Sequence, residues 1–245
     1  MDGSSTIQSF LSGIRERFKP LDPIFCDNLL GVLDSLKQQN NLTYLDLSNN
    51  DLENNFLKQL VPIFKVLMEK LTYLDISSNL FTDEGLLEAK ELFSNNQSLK
   101  ELHCHQFQFN DVSITNQVAD IIGSMINLEV LDFGWSEIQD TTLTNIVGAF
   151  ACQLKKLNLS NNELTLEGAQ ALSEHFKKMP QNQLEELDLH HNQFEDNAKQ
   201  FLMEILKDCK NLRYLNLEEN FFDTFKRYIK KAKITRMYIN VEIFI

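Results

Sequence analysis

Residues 42–52 read LTYLDLSNNDL, and residues 154–164 repeat the phrase almost unchanged as LKKLNLSNNEL. Both fit the pattern L-x-x-L-x-L-x-x-N-x-L, and versions of it return in the same register seven times along the chain. The phrases begin at Leu42, Leu71, Leu99, Leu128, Leu154, Leu184 and Leu212, with spacings of 26 to 30 residues. Self-similarity at such a period indicates a stack of structural repeats.

Each phrase, with positions numbered from its first Leu, alternates apolar residues at positions four and six with polar ones. Leu45 and Leu47 show this alternation in the first phrase. It predicts a short strand with one buried face, because successive side chains of a strand point to opposite sides. Position nine is usually Asn, whose small amide can bond backbone groups left open where the chain leaves the strand. These residues are Asn50, Asn79, Asn162, Asn192 and Asn220.

Between the phrases, apolar residues recur every three or four positions, as in Ala169, Leu172 and Phe176. That period predicts helices. A strand followed by a crossover helix, repeated, gives a parallel sheet with the helices on one side. Strands stack about 4.8 Å apart whereas helix axes need about 8 to 10 Å, so the stack should curve with its strands inside.

The phrase resembles the leucine-rich repeat, and its length resembles the ribonuclease-inhibitor type, over residues 42–245. The resemblance implies an α/β fold, a leucine-rich repeat solenoid shaped like a horseshoe, with parallel strands on the concave face and helices on the convex face. It also implies a module that binds a partner protein in the concave face and inhibits or regulates a partner enzyme. The richness in Asn, Lys, Phe and Gln, with irregular repeats, is similar to leucine-rich effectors of intracellular bacteria.

The sequence divides into three parts. We expect residues 1–41 to form a helical N-terminal cap, residues 42–233 the seven repeats, and residues 234–245 a degenerate eighth strand or C-terminal cap. An eighth phrase starting at Ile234 would place Arg236 and Tyr238 at outward positions three and five.

Composition and charge narrow the classes of partner and compartment. The chain has 23 Lys and Arg against 35 Asp and Glu, and its net charge of −12 disfavours binding to nucleic acid or to an anionic membrane. No apolar run reaches membrane-spanning length, and the four cysteines are too scattered for a disulfide framework. We therefore expect a monomeric cytoplasmic protein without a cofactor, located in the host cytoplasm if it is a secreted bacterial effector.

Binding residues are expected at positions two, three, five, seven and eight, whose side chains point away from the core. Across the seven phrases these positions hold ten acidic and four basic residues, together with exposed tyrosines and the single tryptophan. Aromatic side chains of this kind are enriched at protein interfaces. For any single aspartate at position five, a structural role in the repeat is the competing interpretation. The predicted partner-binding residues are Tyr44, Asp46, Tyr73, Asp75, Glu101, His103, His105, Asp132, Trp135, Lys156, Glu186, Asp188, His190 and Tyr214.

The third and fourth phrases depart from the pattern, with Phe107 and Ser136 at position nine. Trp135, His103 and His105 belong to the same stretch and are predicted to form the centre of the binding footprint. Two interpretations of Phe107 stay open: a contact with the partner, or an inward turn into the core with Trp135 lying over it.

Catalytic and metal sites are not indicated. The sequence has no GxGxxG, GxxxxGK[ST], GxSxG or HExxH motif, and Cys104 occupies buried position six between His103 and His105, a poor setting for a nucleophile. His190 and His191 lie three repeats further on, about 14 Å away at the strand spacing, which is too far to complete one metal site. Two other interaction functions stay open as alternatives: regulation of a small GTPase, and a substrate receptor in ubiquitin transfer.

Overall fold

The computed structural model describes residues 23–36, 42–94, 96–151, 153–234 and 241–245. The strands are β1 Tyr44–Asp46, β2 Tyr73–Asp75, β3 Glu101–His103, β4 Val130–Asp132, β5 Lys156–Asn158, β6 Glu186–Asp188, β7 Tyr214–Asn216 and β8 Glu242–Phe244. The α-helices are α1 Pro23–Leu36, α2 Asn54–Leu67, α3 Asp83–Glu88, α4 Lys90–Phe93, α5 Thr115–Ser124, α6 Asp140–Val147, α7 Leu166–Lys178, α8 Lys199–Asp208 and α9 Phe225–Ile234. Short 3-10 helices lie at Val112–Ile114 and Asp196–Ala198.

All eight strands form one sheet in the order of the sequence, and every neighbouring pair is parallel. The register aligns the same position of successive phrases, so that Tyr44 pairs with Tyr73 and Leu45 with Leu74. Helices of successive repeats from α1 to α8 also pack against each other. The predicted alternation of parallel strands and helices in an α/β fold is confirmed.

One continuous apolar core joins the buried side of the sheet to the helices. Leu45 at position four and Leu47 at position six are fully buried, as are Ala169 and Leu172 of α7. Apolar area removed from water contributes about 25 cal/mol per Å², so these positions carry most of the stabilisation of the stack. At the N-terminal end, α1 packs against α2, the kind of contact that a cap would make. The predicted cap segments 1–22 and 37–41 lie outside the described residues.

The eighth strand exists, but its predicted register was wrong. Strand β8 pairs Glu242 with Tyr214 and Phe244 with Asn216, so position three of the eighth phrase comes 28 residues after position three of the seventh. Ile234, the expected start of the phrase, is instead the last residue of α9. The apolar residues alternate over most of the C-terminal segment, and alternation alone therefore could not fix where the strand begins. The expected outward residues Arg236 and Tyr238 lie outside the described residues.

Asn at position nine bonds backbone groups where the chain leaves the strand, as predicted, and in Asn162 it also reaches the preceding repeat. The Nδ2 group of Asn162 donates to the backbone carbonyls of Phe133 and Leu159 at 2.9 and 3.0 Å. Its Oδ1 accepts the backbone N–H groups of Ser136 and Ile138 at 3.1 and 2.9 Å. One buried amide therefore satisfies backbone groups on two repeats at once.

Phe107, which replaces this Asn in the third phrase, turns into the core and is 2% exposed. Its ring centroid lies 5.5 Å from that of Phe109 and 6.4 Å from that of Phe133. The Oγ atom of Ser136 accepts the backbone N–H of Phe107 at 3.2 Å, a partial replacement for the missing amide. The predicted inward turn of Phe107 is confirmed, whereas the rings next to Trp135 are those of His105 and His191, and the buried Phe107 and Phe109 are not available to a partner.

Candidate functional site

Positions two, three, five, seven and eight of the seven phrases lie on one side of the sheet, here called the strand face. The prediction that all of them are exposed was wrong for position seven of three phrases, because Ser77, Gly134 and Ser160 are buried. Position four is buried in each strand, whereas position three is partly or fully exposed. Because the register aligns equal positions, residues that are about 28 apart in sequence become neighbours across the strands. All of the predicted partner-binding residues lie on this face.

The aspartates at position five have a structural role. Asp132 Oδ1 accepts the backbone N–H of Gly134, at position seven, at 2.8 Å. In the next repeat Asn158 accepts the N–H of Ser160 at 2.9 Å, so the bond requires an oxygen acceptor and no charge. The same bond is made by Asp46, Asp75, Asp188 and Asn216. The acceptor oxygen at position five has a structural role in the repeat. The negative charge of the aspartates is not needed for that hydrogen bond.

His103 interrupts this row of acceptors at position five of the third phrase. The backbone N–H at position seven, which belongs to His105, donates instead to the hydroxyl of Ser77 at 3.0 Å. Ser77 lies on the preceding repeat, so the missing acceptor is supplied by a neighbour. The imidazole of His103 is thereby released from the role that Asp or Asn has in the other six repeats.

Three aromatic rings form a continuous row across β1, β2 and β3. The rings of Tyr44 and Tyr73 are stacked, with centroids 4.1 Å apart, and that of His103 lies 5.0 Å from Tyr73. Burial raises the pKa of the Tyr73 hydroxyl well above its usual value, and the hydrogen bond with Tyr44 and the charge of Asp75 raise it further. The hydroxyl therefore stays protonated. The row is an ordered, partly exposed aromatic platform.

Carboxylates surround the His103 end of the row. Its Nδ1 lies 3.8 Å from Asp132 Oδ2, and its Nε2 lies 3.6 Å from Glu101 Oε2. Burial lowers the pKa of His103, but Asp132, Asp75 and Glu101 together raise it further, so its net pKa lies above the usual value. Protonated His103 and these acids therefore stabilise one another.

Trp135 is a second aromatic feature, 51% exposed, at position eight of the fourth phrase. Its ring centroid lies 6.2 Å from that of His191, with the planes 18° from parallel, and 6.5 Å from that of His105. Gly134 permits this arrangement, because a Cβ atom there would lie 2.9 Å from His105 Nδ1. His191 was left out of the predicted footprint, although its place at position eight, two repeats after Trp135, was the signal that could have included it.

The backbone at position eight is left-handed in all seven phrases. Trp135 has φ 56°, and the other residues with positive φ at this position are Asn49, Ser78, Gln106, Asn161, His191 and Glu219. Asn and Gly tolerate this conformation, whereas a bulky aromatic residue does so at a cost of about 1 kcal/mol or more. The repeat thus places a tryptophan where the backbone disfavours it, a pattern that is common at functional sites.

Charge is divided sharply across the strand face. Its four basic residues all lie at positions two and three, and each forms an ion pair within that half: Lys100 and Lys155 with Glu129, Lys156 with Glu186, and Arg213 with Glu185. Positions five, seven and eight, here called the acidic half, contain no Lys or Arg. Their carboxylates are Asp46, Asp75, Asp132, Asp188, Glu218 and Glu219.

The remaining predicted residues lie apart from the two aromatic features. His190 Nδ1 lies 2.8 Å from Asp188 Oδ1, and its Nε2 is 2.9 Å from the amide of Asn161. Tyr214 lies towards the C-terminal edge, with its ring centroid 5.3 Å from that of Phe244 on β8. The structure therefore brings the N-terminal and central predicted residues together, and places Tyr214 at a separate end.

Clusters that could hold a metal ion are absent among the described residues. Within residues 23–36, 42–94, 96–151, 153–234 and 241–245, no set of three or more His, Cys, Asp and Glu side chains could hold a metal ion. Cys104 is buried, as predicted, and burial raises the pKa of its thiol well above the usual value.

Comparison with known families and proteins identifies the repeated unit. Models described as leucine-rich repeat match residues 41–66, 68–88 and 151–173. The chain carries leucine-rich repeats. It is 25% identical over 170 residues to the human NACHT, LRR and PYD domains-containing protein 14, a match covering 69% of this chain and 16% of that protein. The chain therefore spans about a sixth of the length of this curated relative.

The solved structure of an internalin from Listeria monocytogenes shares the leucine-rich repeat architecture. It aligns with a TM-score of 0.52 at 17% identity, covering 91% of this chain and 56% of the internalin chain. At this identity the likeness concerns the fold alone, and it confirms the predicted leucine-rich repeat solenoid. In the part of the chain that the structure describes, no helix is both long and apolar enough to cross a membrane.

Proposed function

We propose that the chain is a protein-interaction module that binds a partner protein on its strand face. The supporting observation is the pair of exposed aromatic features, the Tyr44, Tyr73 and His103 row and Trp135, within a largely acidic surface. Aromatic side chains held rigidly by their neighbours supply contact area at a low cost in conformational entropy. The leucine-rich repeats provide the rigid sheet on which these side chains are ordered.

We further propose that binding inhibits or regulates a partner enzyme. An acidic curved surface would fit over a basic or catalytic cleft, and the repeat length resembles that of the ribonuclease-inhibitor type. In this proposal residues 1–41 and 234–245 cap the repeats of residues 42–233, and the protein acts as a monomer without a cofactor in the cytoplasm. For a secreted bacterial effector that compartment is the host cytoplasm.

Affinity capture tests the binding surface. The immobilised full chain, Trp135→Asn and the pair Tyr44→Ala with Tyr73→Ala are incubated with extracts of the source organism and of a eukaryotic cell line. Asp120→Asn, an exposed change on α5, is the control. A partner retained by the wild type and the control but lost by the strand-face variants supports the proposal, and equal retention by all four chains would overturn it.

Inhibition is tested separately once a partner is captured. The partner's activity on its natural substrate is measured with increasing amounts of the wild-type chain until the complex is stoichiometric. A fall in activity that the strand-face variants fail to cause supports inhibition. Unchanged activity in a complete complex rejects inhibition while leaving the binding proposal intact.

A further inference from the structure

We propose that Trp135 receives an arginine side chain from a basic segment of the partner, and that the acidic half of the strand face attracts that segment. The inference rests on the proposed function, because it names the chemistry of the contact that the partner makes with the same face. It assigns the central contact to a cation rather than to an apolar side chain.

The distribution of charge supports a basic occupant. The lysines and the arginine of the strand face are confined to positions two and three, where they pair with Glu129, Glu185 and Glu186. The acidic half has six carboxylates and no Lys or Arg in the seven phrases, and its histidines lie close to three of those carboxylates, Asp132, Asp188 and Glu219. A basic segment lying across positions five, seven and eight would therefore meet carboxylates and no lysine or arginine, which favours encounter and sets its orientation.

The surroundings of Trp135 favour a cation over an apolar anchor. The neighbouring position-eight residues, Gln106 and Asn161, are polar, and beyond them the Nδ1 of His191 lies 3.9 Å from Oε2 of Glu219. An apolar partner segment would contact only one half-exposed ring, and it would remove water from these polar groups at a cost in free energy. A cation above the indole face would instead gain a cation–π contact and keep its attraction to the nearby carboxylates.

Arginine fits this position better than lysine. Its planar guanidinium stacks on an aromatic face while its edge donates hydrogen bonds to carboxylates, and it is more weakly hydrated than an ammonium group. Glu219 Oε2 lies 3.9 Å from Nδ1 of His191, whose ring flanks the indole, and Asp132 lies at position five of the same phrase as Trp135. A guanidinium stacked on the ring would thus have carboxylate acceptors on the same strand face.

The chain offers a direct optical test, because Trp135 is its only tryptophan. Its intrinsic fluorescence is recorded while the full chain is titrated, at low ionic strength, with hexa-arginine, hexa-lysine or hexa-glutamate. We expect hexa-arginine to change the emission and to bind about two- to fivefold more tightly than hexa-lysine, with no response to hexa-glutamate. Unchanged emission with hexa-arginine would overturn the proposal, and equal affinities for the two basic peptides would overturn the assignment to arginine.

Matched variants separate a defined site from attraction to the overall negative charge. Binding of fluorescein-labelled hexa-arginine is followed by anisotropy for Trp135→Leu, Asp132→Asn and Glu219→Gln. Asn158 shows that Asn at position five preserves the backbone hydrogen bond. Asp120→Asn on α5 removes the same charge away from this face.

Each strand-face variant should weaken binding about two- to fivefold, and Asp120→Asn should leave it unchanged. Equal weakening by Asp120→Asn and Asp132→Asn would mean that only net charge attracts the peptide, and would overturn the proposal. The proposed protein-binding function would be contradicted by a different result, namely equal retention of the partner by the wild type, the control and the strand-face variants. A captured partner that depends on Tyr44 and Tyr73 but binds equally well after its basic residues are neutralised overturns this inference alone.

Discussion

Tyr44 and Tyr73 lie face to face, with ring centroids 4.1 Å apart and ring planes 10° from parallel. They are direct partners in the register of β1 and β2, at position three of consecutive phrases. A repeated sequence position thus becomes a stacked pair, because the parallel register superimposes equal positions of neighbouring repeats. The same register extends the row to His103 on the third strand.

The stacking predicts an energetic coupling between the two tyrosines. In a double-mutant cycle of Tyr44→Ala and Tyr73→Ala, measured by urea unfolding, we expect a coupling of about 0.5 to 1.5 kcal/mol. Tyr214 occupies the same position five repeats further on than Tyr73, so Tyr44→Ala and Tyr214→Ala should be additive within about 0.5 kcal/mol. Additive effects for the stacked pair as well would show that the two rings stabilise the fold independently.

Trp135 gives a prediction that separates binding from stability. Trp135→Asn and Trp135→Ala both remove the ring and should lose partner binding to the same extent. Asn accepts the left-handed backbone that Ala disfavours, and Asn161 and Asn49 hold it at the same position. We therefore expect the Asn variant to be about 1 kcal/mol more stable than the Ala variant in urea unfolding. Equal stability of the two would mean that the positive φ at Trp135 carries no strain.

We expect truncation of Asn162, on the turn after a strand, to cause a large loss of stability. Asn162→Ala removes the acceptor of the buried N–H groups of Ser136 and Ile138 and a donor to the carbonyl of Phe133. We expect a loss of about 3 kcal/mol in the free energy of unfolding. The control is Asn211→Ala, since Asn211 is exposed and makes only long contacts of 3.4 Å, and it should change stability by less than about 0.5 kcal/mol.

The order of strands and helices could be predicted from sequence because each element repeats one local pattern. Leu45 and Leu47 are buried and Asn50 bonds to the backbone, as the alternation and the amide at position nine indicated. The start of β8 could not be predicted from alternation, because the apolar residues of that segment fit more than one register. The repeat spacing carried the missing information, since Glu242 follows Tyr214 by 28 residues.

The contacts between side chains of neighbouring repeats could not be predicted from sequence, although position eight did place His191 on the same face as Trp135. The hydroxyl of Ser77 replaces an acceptor lost at His103, a compensation between two strands. His191 reaches the ring of Trp135 across an intervening repeat. Both contacts depend on the conformation of side chains on adjoining strands, and a linear pattern fixes only which face those side chains occupy.

We expect protonation of His175 to lower the stability of the fold in mild acid. It is 8% exposed on α7, and burial followed by the charge of Lys178 lowers its pKa to about 4. The folded pKa lies below the unfolded value of about 6.5, so the stability from this group is present above pH 6.5 and is lost as the pH falls towards 4. The free energy of unfolding should fall by about 3 kcal/mol over that window because of this group.

The variant His175→Leu isolates this effect. Urea unfolding at about pH 7.5 and about pH 4.5 should give a smaller acid loss for His175→Leu than for the wild type. The exposed His191 serves as control, and His191→Gln should retain the acid loss of the wild type. A wild-type pH dependence in His175→Leu would contradict the assignment.

We expect His103 to give the free energy of unfolding a pH dependence opposite in sign to that from His175. Although burial lowers its pKa, Asp132, Asp75 and Glu101 raise it above the usual value. A raised folded pKa means that its contribution is fully present below about pH 6.5 and is lost as the pH rises through the folded value. His103→Asn removes the titrating ring, and Asn158 shows that Asn fits position five.

The stability advantage of the wild type over His103→Asn should therefore be larger at about pH 5.5 than at about pH 8.5. The His103 ring resonances, assigned by their absence from the variant, should titrate in the folded chain with a midpoint above 6.5. A midpoint below that value would mean that burial outweighs the three carboxylates. In that case a neutral His103 at physiological pH would add only its aromatic face to the row begun by Tyr44 and Tyr73.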